Sequence, residues 1–195
     1  MPRIKNILCF GDSLTAGYGL SSSQAWPVMI QQRINAMRMP YHVINAGRNG
    51  DTSGGGVLRI EQYLHEPIDV FILELGINDL PRGILPTQTA ANLQKIIARV
   101  KESYPKCRMA LAGMEIPSLV IPREISMFLN DPLVAAFRNI FGEIARQNNM
   151  AYIPFLLKGV AGNTYLNLMD RIHPNAQGHH LIAENVWEVL SAILD

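Results

Sequence analysis

Read for polarity alone, the chain alternates between short unbroken apolar runs and longer stretches in which apolar residues return every three or four positions. Ile7 to Phe10 and Val70 to Leu73 contain no polar break. Continuous rather than alternating apolarity implies strands buried on both faces, as in a parallel sheet. Strands are expected over 7–10, 41–45, 69–75 and 108–114, with a fifth beginning at 151–153. The helical period appears over 26–37, with Trp26, Met29, Ile30, Ile34 and Met37 on one face and Pro27 in the first turn. It appears again over 53–65, over 87–104 with Leu93, Ile96, Ile97 and Val100 inward, over 132–148 behind a capping Asp131, and over 175–194 with Leu181, Ile182, Val186, Val189, Leu190 and Ile193 inward. The second helix carries Gly54-Gly55-Gly56, each glycine costing about 1 kcal/mol relative to alanine. That run implies either a later helix start or a close approach by backbone or ligand.

Strands separated by helices imply right-handed crossovers and a doubly wound α/β sheet. The chain shows no repeat and no linker, so residues 1–195 are expected to form one domain. Ligands of such sheets bind beyond the carboxyl ends of the strands. This rule selects four places: Gly11 to Leu14, Gly47 to Thr52, Gly76 to Asp79, and the loop before the last helix. All four are rich in Gly, Ser, Asn, Asp or His. Residues 114–130 break the alternation. They hold Pro117, Leu119, Val120, Ile121, Pro122, Met127, Phe128 and Leu129 without a helical period. A long apolar segment at this edge is expected to be a lid or pocket wall for an acyl or aryl group, or else a loop folded on the core or a dimer contact.

Composition narrows the partners. Hydrophobic residues make up 48% and charged residues 17% of the chain, which favours a sizeable core and argues against disorder. The net charge is +1 with no basic run, which disfavours nucleic acid and anionic membrane as partners. No stretch approaches the ~20 apolar residues of a membrane span, so stable membrane insertion is not expected. Cys9 and Cys107 lie in expected strands and read as buried free thiols, not as a disulfide framework or a metal knuckle. No apolar leader core is visible, so the expected location is the cytoplasm, or the periplasm or exterior if a leader has been removed. Oligomeric state is left open.

The chemistry concentrates at the four edge sites. After the first apolar run come Gly11, Asp12 and Ser13, and a strand, sharp turn and helix start is how α/β enzymes expose a nucleophile. The same residues also read as an ordinary helix cap. A serine nucleophile needs a base, the base an orienting acceptor, and the substrate oxygen donors. His42 opens a strand, His65 ends a helix where a cation suits the dipole, and His179 and His180 fall within the last helix; these four read as structural or solvated. His173 lies between Asp170-Arg171-Ile172 and Pro174, the expected first residue of the closing helix. A turn there can hold the Asp170 carboxylate against His173 Nδ1 and leave Nε2 for Ser13. Asn78 can donate an amide hydrogen to a developing oxyanion, or serve only as a turn former. Gly50 lets a backbone N–H approach a substrate closely, or only shapes its turn.

Gly11-Asp12-Ser13-Leu14, Gly50-Asp51-Thr52, Gly76-x-Asn78-Asp79 and Asp170-x-x-His173-Pro174 resemble, in order, the four sequence blocks of the GDSL or SGNH hydrolases. The likeness spans essentially the whole chain. It is nearest to the bacterial branch of multifunctional thioesterases, lysophospholipases and arylesterases, including the contexts of Gly19, Asp51-Thr52 and Glu74-Leu75-Gly76. The resemblance implies a flavodoxin-like three-layer α/β/α sandwich with strand order 2-1-3-4-5. It implies Ser13 as nucleophile, His173 as general base and Asp170 as its partner. The Ser13 and Gly50 backbone N–H groups and the Asn78 side chain would form the oxyanion hole. It further implies a small-molecule ester or thioester substrate and no metal or organic cofactor. The segment 114–130 is longer than that branch leads one to expect. A carbohydrate deacetylase with the same triad is the alternative. A phospholigand-binding module is a remote one, since the glycine-rich loops lack both the P-loop ending and the dinucleotide spacing.

Overall fold

The computed structural model describes residues 3–114 and 132–194. The expectation of a lid or wall over 114–130 therefore lies outside the described residues apart from Met114, which is buried. The same holds for Asp131 as a helix cap.

Five parallel strands form one sheet in the order β2-β1-β3-β4-β5: β1 Lys5–Gly11, β2 Tyr41–Gly47, β3 Val70–Glu74, β4 Arg108–Ala112 and β5 Ala151–Ile153. Between them lie α1 Ser13–Ala16, α2 Trp26–Ala36, α3 Ser53–Arg59, α4 Pro86–Ser103, α5 Pro132–Gln147 and α6 Ala176–Leu190. Both faces of the sheet are covered. Leu8, Phe10, Phe71, Leu73, Met109 and Leu111 point to the layer of α3, α4 and α5, where they meet Leu93, Ile96, Ile97, Phe137 and Phe141. Ile7, Cys9, Val70, Ile72, Ala110 and Ala112 point to α2 and α6, against Trp26, Ile30, Ile34, Ile182 and Val186. The period of two along each strand, with both sets apolar, accounts for the unbroken runs in the sequence. Each fully buried side chain of this size contributes about 1.5–3 kcal/mol of transfer free energy.

Several boundaries differ from the sequence expectation. The second strand runs on to Gly47, which pairs with Gly11; a side chain at 47 would collide with the backbone of α1. The helix expected over 53–65 ends at Arg59 and tightens into a 3₁₀ turn, Ile60–Tyr63. It starts on time: the Thr52 hydroxyl caps it by accepting from the Gly55 N–H at 3.0 Å. Its glycines mark a close approach by the protein itself, since a Cβ on Gly56 would meet Leu75, Ile96 and Phe10. Met37 is exposed because α2 stops one residue earlier. Pro174 does not open the last helix. It pairs with Asn167 in an isolated antiparallel bridge, and Asn175 is the cap, its side chain accepting from the Gln177 and Gly178 N–H groups. That helix ends at Leu190, followed by a 3₁₀ turn, Ser191–Ile193. Cys107 precedes β4 and is only partly buried, its Sγ directed at the Arg108 carbonyl.

The register sets up the site. Gly11 lies beside Gly47 on one side and Glu74 on the other. The chain therefore leaves three neighbouring strands at one level, and the segments that follow, 12–13, 48–52 and 75–79, converge at one edge.

Candidate active site

α1 is a single turn that starts where β1 ends. Asp12 is its N-cap, with Oδ1 accepting from the Leu14 N–H at 2.9 Å. Ser13 is its first residue, 7% exposed. Gly17 closes the turn in the left-handed conformation, at φ 80°. The cap and the nucleophile readings of this stretch thus fall on adjacent residues and do not compete. Only a glycine fits at position 11, since any side chain there would collide with Thr15 and Glu74.

The loop before α6 brings in His173. The Asp170 carboxylate folds back on its own chain, Oδ1 accepting from the Ile172 and His173 N–H groups at 2.9 and 3.0 Å. Its Oδ2 meets His173 Nδ1 at 2.7 Å. Arg171 takes a positive φ of 59° to make this turn. His173 Nε2 then lies 3.1 Å from Ser13 Oγ, across 160 residues of sequence. Asp170 suffers some loss of solvation, yet the two backbone N–H groups and the imidazole hold its carboxyl below the ordinary carboxylate range. The Tyr18 ring stacks on His173, centroids 4.4 Å apart. Tyr165, Met169 and Ile172, on the segment that leads to His173, are exposed, as is Tyr18. Sequence reasoning did not single out these apolar side chains, because they share no period.

Asn78 and Gly50 also reach this edge. Asn78 Nδ2 donates to Asp12 Oδ2 at 2.9 Å and to the Asp51 carbonyl at 3.0 Å. These partners are the residues adjacent to Ser13 and Gly50, so the amide hangs between the two loops. Both its hydrogens are engaged by protein acceptors, a detail the sequence could not give. Gly50 sits in the left-handed region at φ 71°. Arg82 ties the loops together, Nη1 donating to the Asn78 carbonyl at 2.8 Å and Nη2 to the Gly50 carbonyl at 3.1 Å.

Buried polar groups underpin these loops. Arg59 donates to Asp51 Oδ2 at 2.6 Å and to the Ala46 and Gly11 carbonyls at 2.9 and 2.8 Å, and it lies over the Phe10 ring. Asp79 accepts from the Ser53 N–H at 2.9 Å, the Thr89 hydroxyl at 2.8 Å and the Ser53 hydroxyl. Among the described residues, no cluster of three or more His, Cys, Asp or Glu could hold a metal ion. Nor is any helix long and apolar enough to cross a membrane.

The model of the GDSL-like lipase/acylhydrolase family matches residues 9–181. The chain belongs to this family. Esterase TesA of Pseudomonas aeruginosa is 34% identical over 191 residues, covering 97% of this chain and 90% of that protein. Thioesterase 1/protease 1/lysophospholipase L1 of Escherichia coli K12 is 32% identical, covering 97% and 85%. A crystal structure of TesA superposes with a TM-score of 0.87 at 32% identity, over 97% of this chain and all of that one. This GDSL-like acylhydrolase is accordingly a serine ester hydrolase with the three-layer fold and strand order that the sequence resemblance implied. The carbohydrate-deacetylase and phospholigand readings are not favoured by these relatives.

Proposed function

We propose that the enzyme hydrolyses small-molecule esters through an acyl intermediate on Ser13, with His173 as general base and Asp170 as its orienting partner. The single observation that carries this assignment is the continuous chain from Ser13 Oγ through His173 to Asp170, at 3.1 and 2.7 Å. Ser13 Oγ attacks the acyl carbon as its proton passes to Nε2. The imidazolium returns that proton to the departing alcohol or thiol oxygen or sulfur, and the acyl–Oγ ester remains. A water, deprotonated by the same Nε2, then releases the acid and restores Ser13. Asp170 keeps Nδ1 protonated and the ring in line. The Ser13 and Gly50 backbone N–H groups receive the oxyanion, and the Asn78 amide turns one hydrogen toward it from its resting acceptors.

The Tyr18 ring against His173, with Met169 and Ile172 exposed on the same loop as that histidine, supports an apolar acyl or aryl group. Thioesters and lysophospholipids, the substrates named for the Escherichia coli relative, are included as candidates. A panel of p-nitrophenyl and thioesters graded by acyl length tests the reading, together with fluorophosphonate labelling. The expected result is turnover that rises from acetyl to longer acyl groups and a covalent adduct on Ser13. Absence of both turnover and adduct in the folded enzyme would overturn it.

A further inference from the structure

Beneath Ser13 the fold buries more acid than it neutralises. Asp12, Asp51, Glu74 and Asp79 are all buried, and Arg59 is the buried Lys or Arg among the described residues. Arg59 is committed to Asp51 and to two backbone carbonyls. Asp79 is surrounded by donors, two from Ser53 and one from Thr89, as suits a carboxylate. Asp12 and Glu74 remain, side by side, the Asp12 N–H donating to Glu74 Oε2 at 3.2 Å. With no buried Lys or Arg left among the described residues to pair with either, two such neighbouring acids are not both ionised, and one of them holds a proton.

Hydrogen-bond accounting assigns that proton. Asp12 accepts with both oxygens, Oδ1 from the Leu14 N–H and Oδ2 from the Asn78 amide. Glu74 accepts with one only: Oε2 takes the Asp12 N–H at 3.2 Å and the Thr15 hydroxyl at 2.7 Å. Its Oε1 is buried without a donor among the described residues. An ionised Glu74 would leave a charged oxygen orphaned in the core, whereas a protonated one has a hydrogen for Asp12. Burial, followed by the neighbouring Asp12 charge, also pushes Glu74 well above the ordinary carboxylate range.

We propose that Glu74 is a positioning residue that works as a neutral carboxylic acid, giving its proton to the Asp12 carboxylate so that one negative charge, not two, lies beneath the oxyanion site. This rests on the esterase reading above. Glu74 holds both flanks of Ser13, through the Asp12 N–H and the Thr15 hydroxyl, and through Asp12 it holds the Asn78 amide. Among the described residues, Asp51 also faces Asp12, and Arg59 neutralises it. A second charge on Glu74 would oppose the oxyanion and pull Asn78 away from it.

The test has a spectroscopic arm and a kinetic one. In the infrared spectrum at pH 8, ordinary carboxylates are ionised, and a protonated-carboxyl C=O band should persist in the wild type and vanish in Glu74→Gln. Glu74→Gln should keep kcat/KM within about threefold, because its amide supplies the same donor and acceptor. Glu74→Met, with neither, should lose about 10²-fold in kcat with KM little changed, as for a misplaced oxyanion donor. Absence of the band, its survival in Glu74→Gln, or a Gln variant as impaired as the Met variant would overturn the proposal. The band does not depend on turnover, so it decides even if Glu74→Met fails to fold. An inactive wild type that retains the band would sink the esterase reading alone.

Discussion

At the scale of single residues, the reacting groups are held by very unequal numbers of contacts. His173 is fixed at both ring nitrogens and by a stacked tyrosine. Ser13 depends on the one-turn helix that carries it. Ser13→Ala should therefore leave the fold intact, judged by its melting temperature, and lower turnover by roughly 10⁴-fold or more. Asn78→Ala should cost about 10²–10³ in kcat if an oxyanion donor is lost. A change confined to KM would assign Asn78 to ground-state binding instead. The meeting of Ser13, Asp170 and His173 at one edge was legible because a serine at a strand end and an acid three residues from a histidine are local patterns. Glu74 was not. It ends an apolar run, where an acid reads as the strand's last residue, and only the register beside Gly11 reveals that it faces Asp12.

At the scale of elements, the glycines of α3 show what periodicity leaves out. A triple glycine argues against a helix by propensity, yet the helix forms because its backbone must lie against Phe10, Leu75 and Ile96. Packing outweighs the intrinsic cost. Gly56→Ala should consequently destabilise the protein by about 1–3 kcal/mol, through overpacking and not through helix propensity. Chemical denaturation of that variant measures it; a stabilised variant would show that the helix has room to move. The boundaries that the sequence placed wrongly, at Arg59, Gly47 and Pro174, share one cause. Each is set by a partner outside its own element: the Asp51 carboxylate, the α1 backbone and Asn167, respectively.

At the scale of the whole molecule, the parallel sheet and its two apolar layers were legible from unbroken runs and helical periods, because burial on both faces leaves so strong a pattern, while the strand order came from the family resemblance. Coupling between the helices of one layer was not legible. His179, read as structural or solvated, is buried in α6, and its Nδ1 accepts the Trp26 N–H at 3.2 Å, joining α6 to α2. Burial, then repulsion from His173, lowers its pKa to about 4. The unfolded chain takes up a proton there near pH 6.5, while the folded protein refuses it until about 4. Stability from this residue is therefore full above 6.5 and drains away as the pH falls to 4, by up to about 3 kcal/mol. Asp12, raised by burial to about 7, acts oppositely, its share of stability being lost as the pH rises toward that value. Comparing thermal unfolding of wild type and His179→Asn isolates the histidine: the deficit of the variant should be widest above pH 6.5 and narrow toward pH 4. A constant deficit would mean that the buried imidazole charges as easily folded as unfolded.

The seam between α2 and α6 gives the molecule a built-in reporter. Trp26 lies sealed within it and Trp187 stacks with Arg33 across it, while the loop leading into α6 delivers His173 to a serine some 160 positions earlier. Intrinsic fluorescence and ester turnover thus watch the same docking of α6. During refolding the two signals should rise with a single time constant, and a catalytic lag behind the emission change would reveal a late rearrangement confined to the loop.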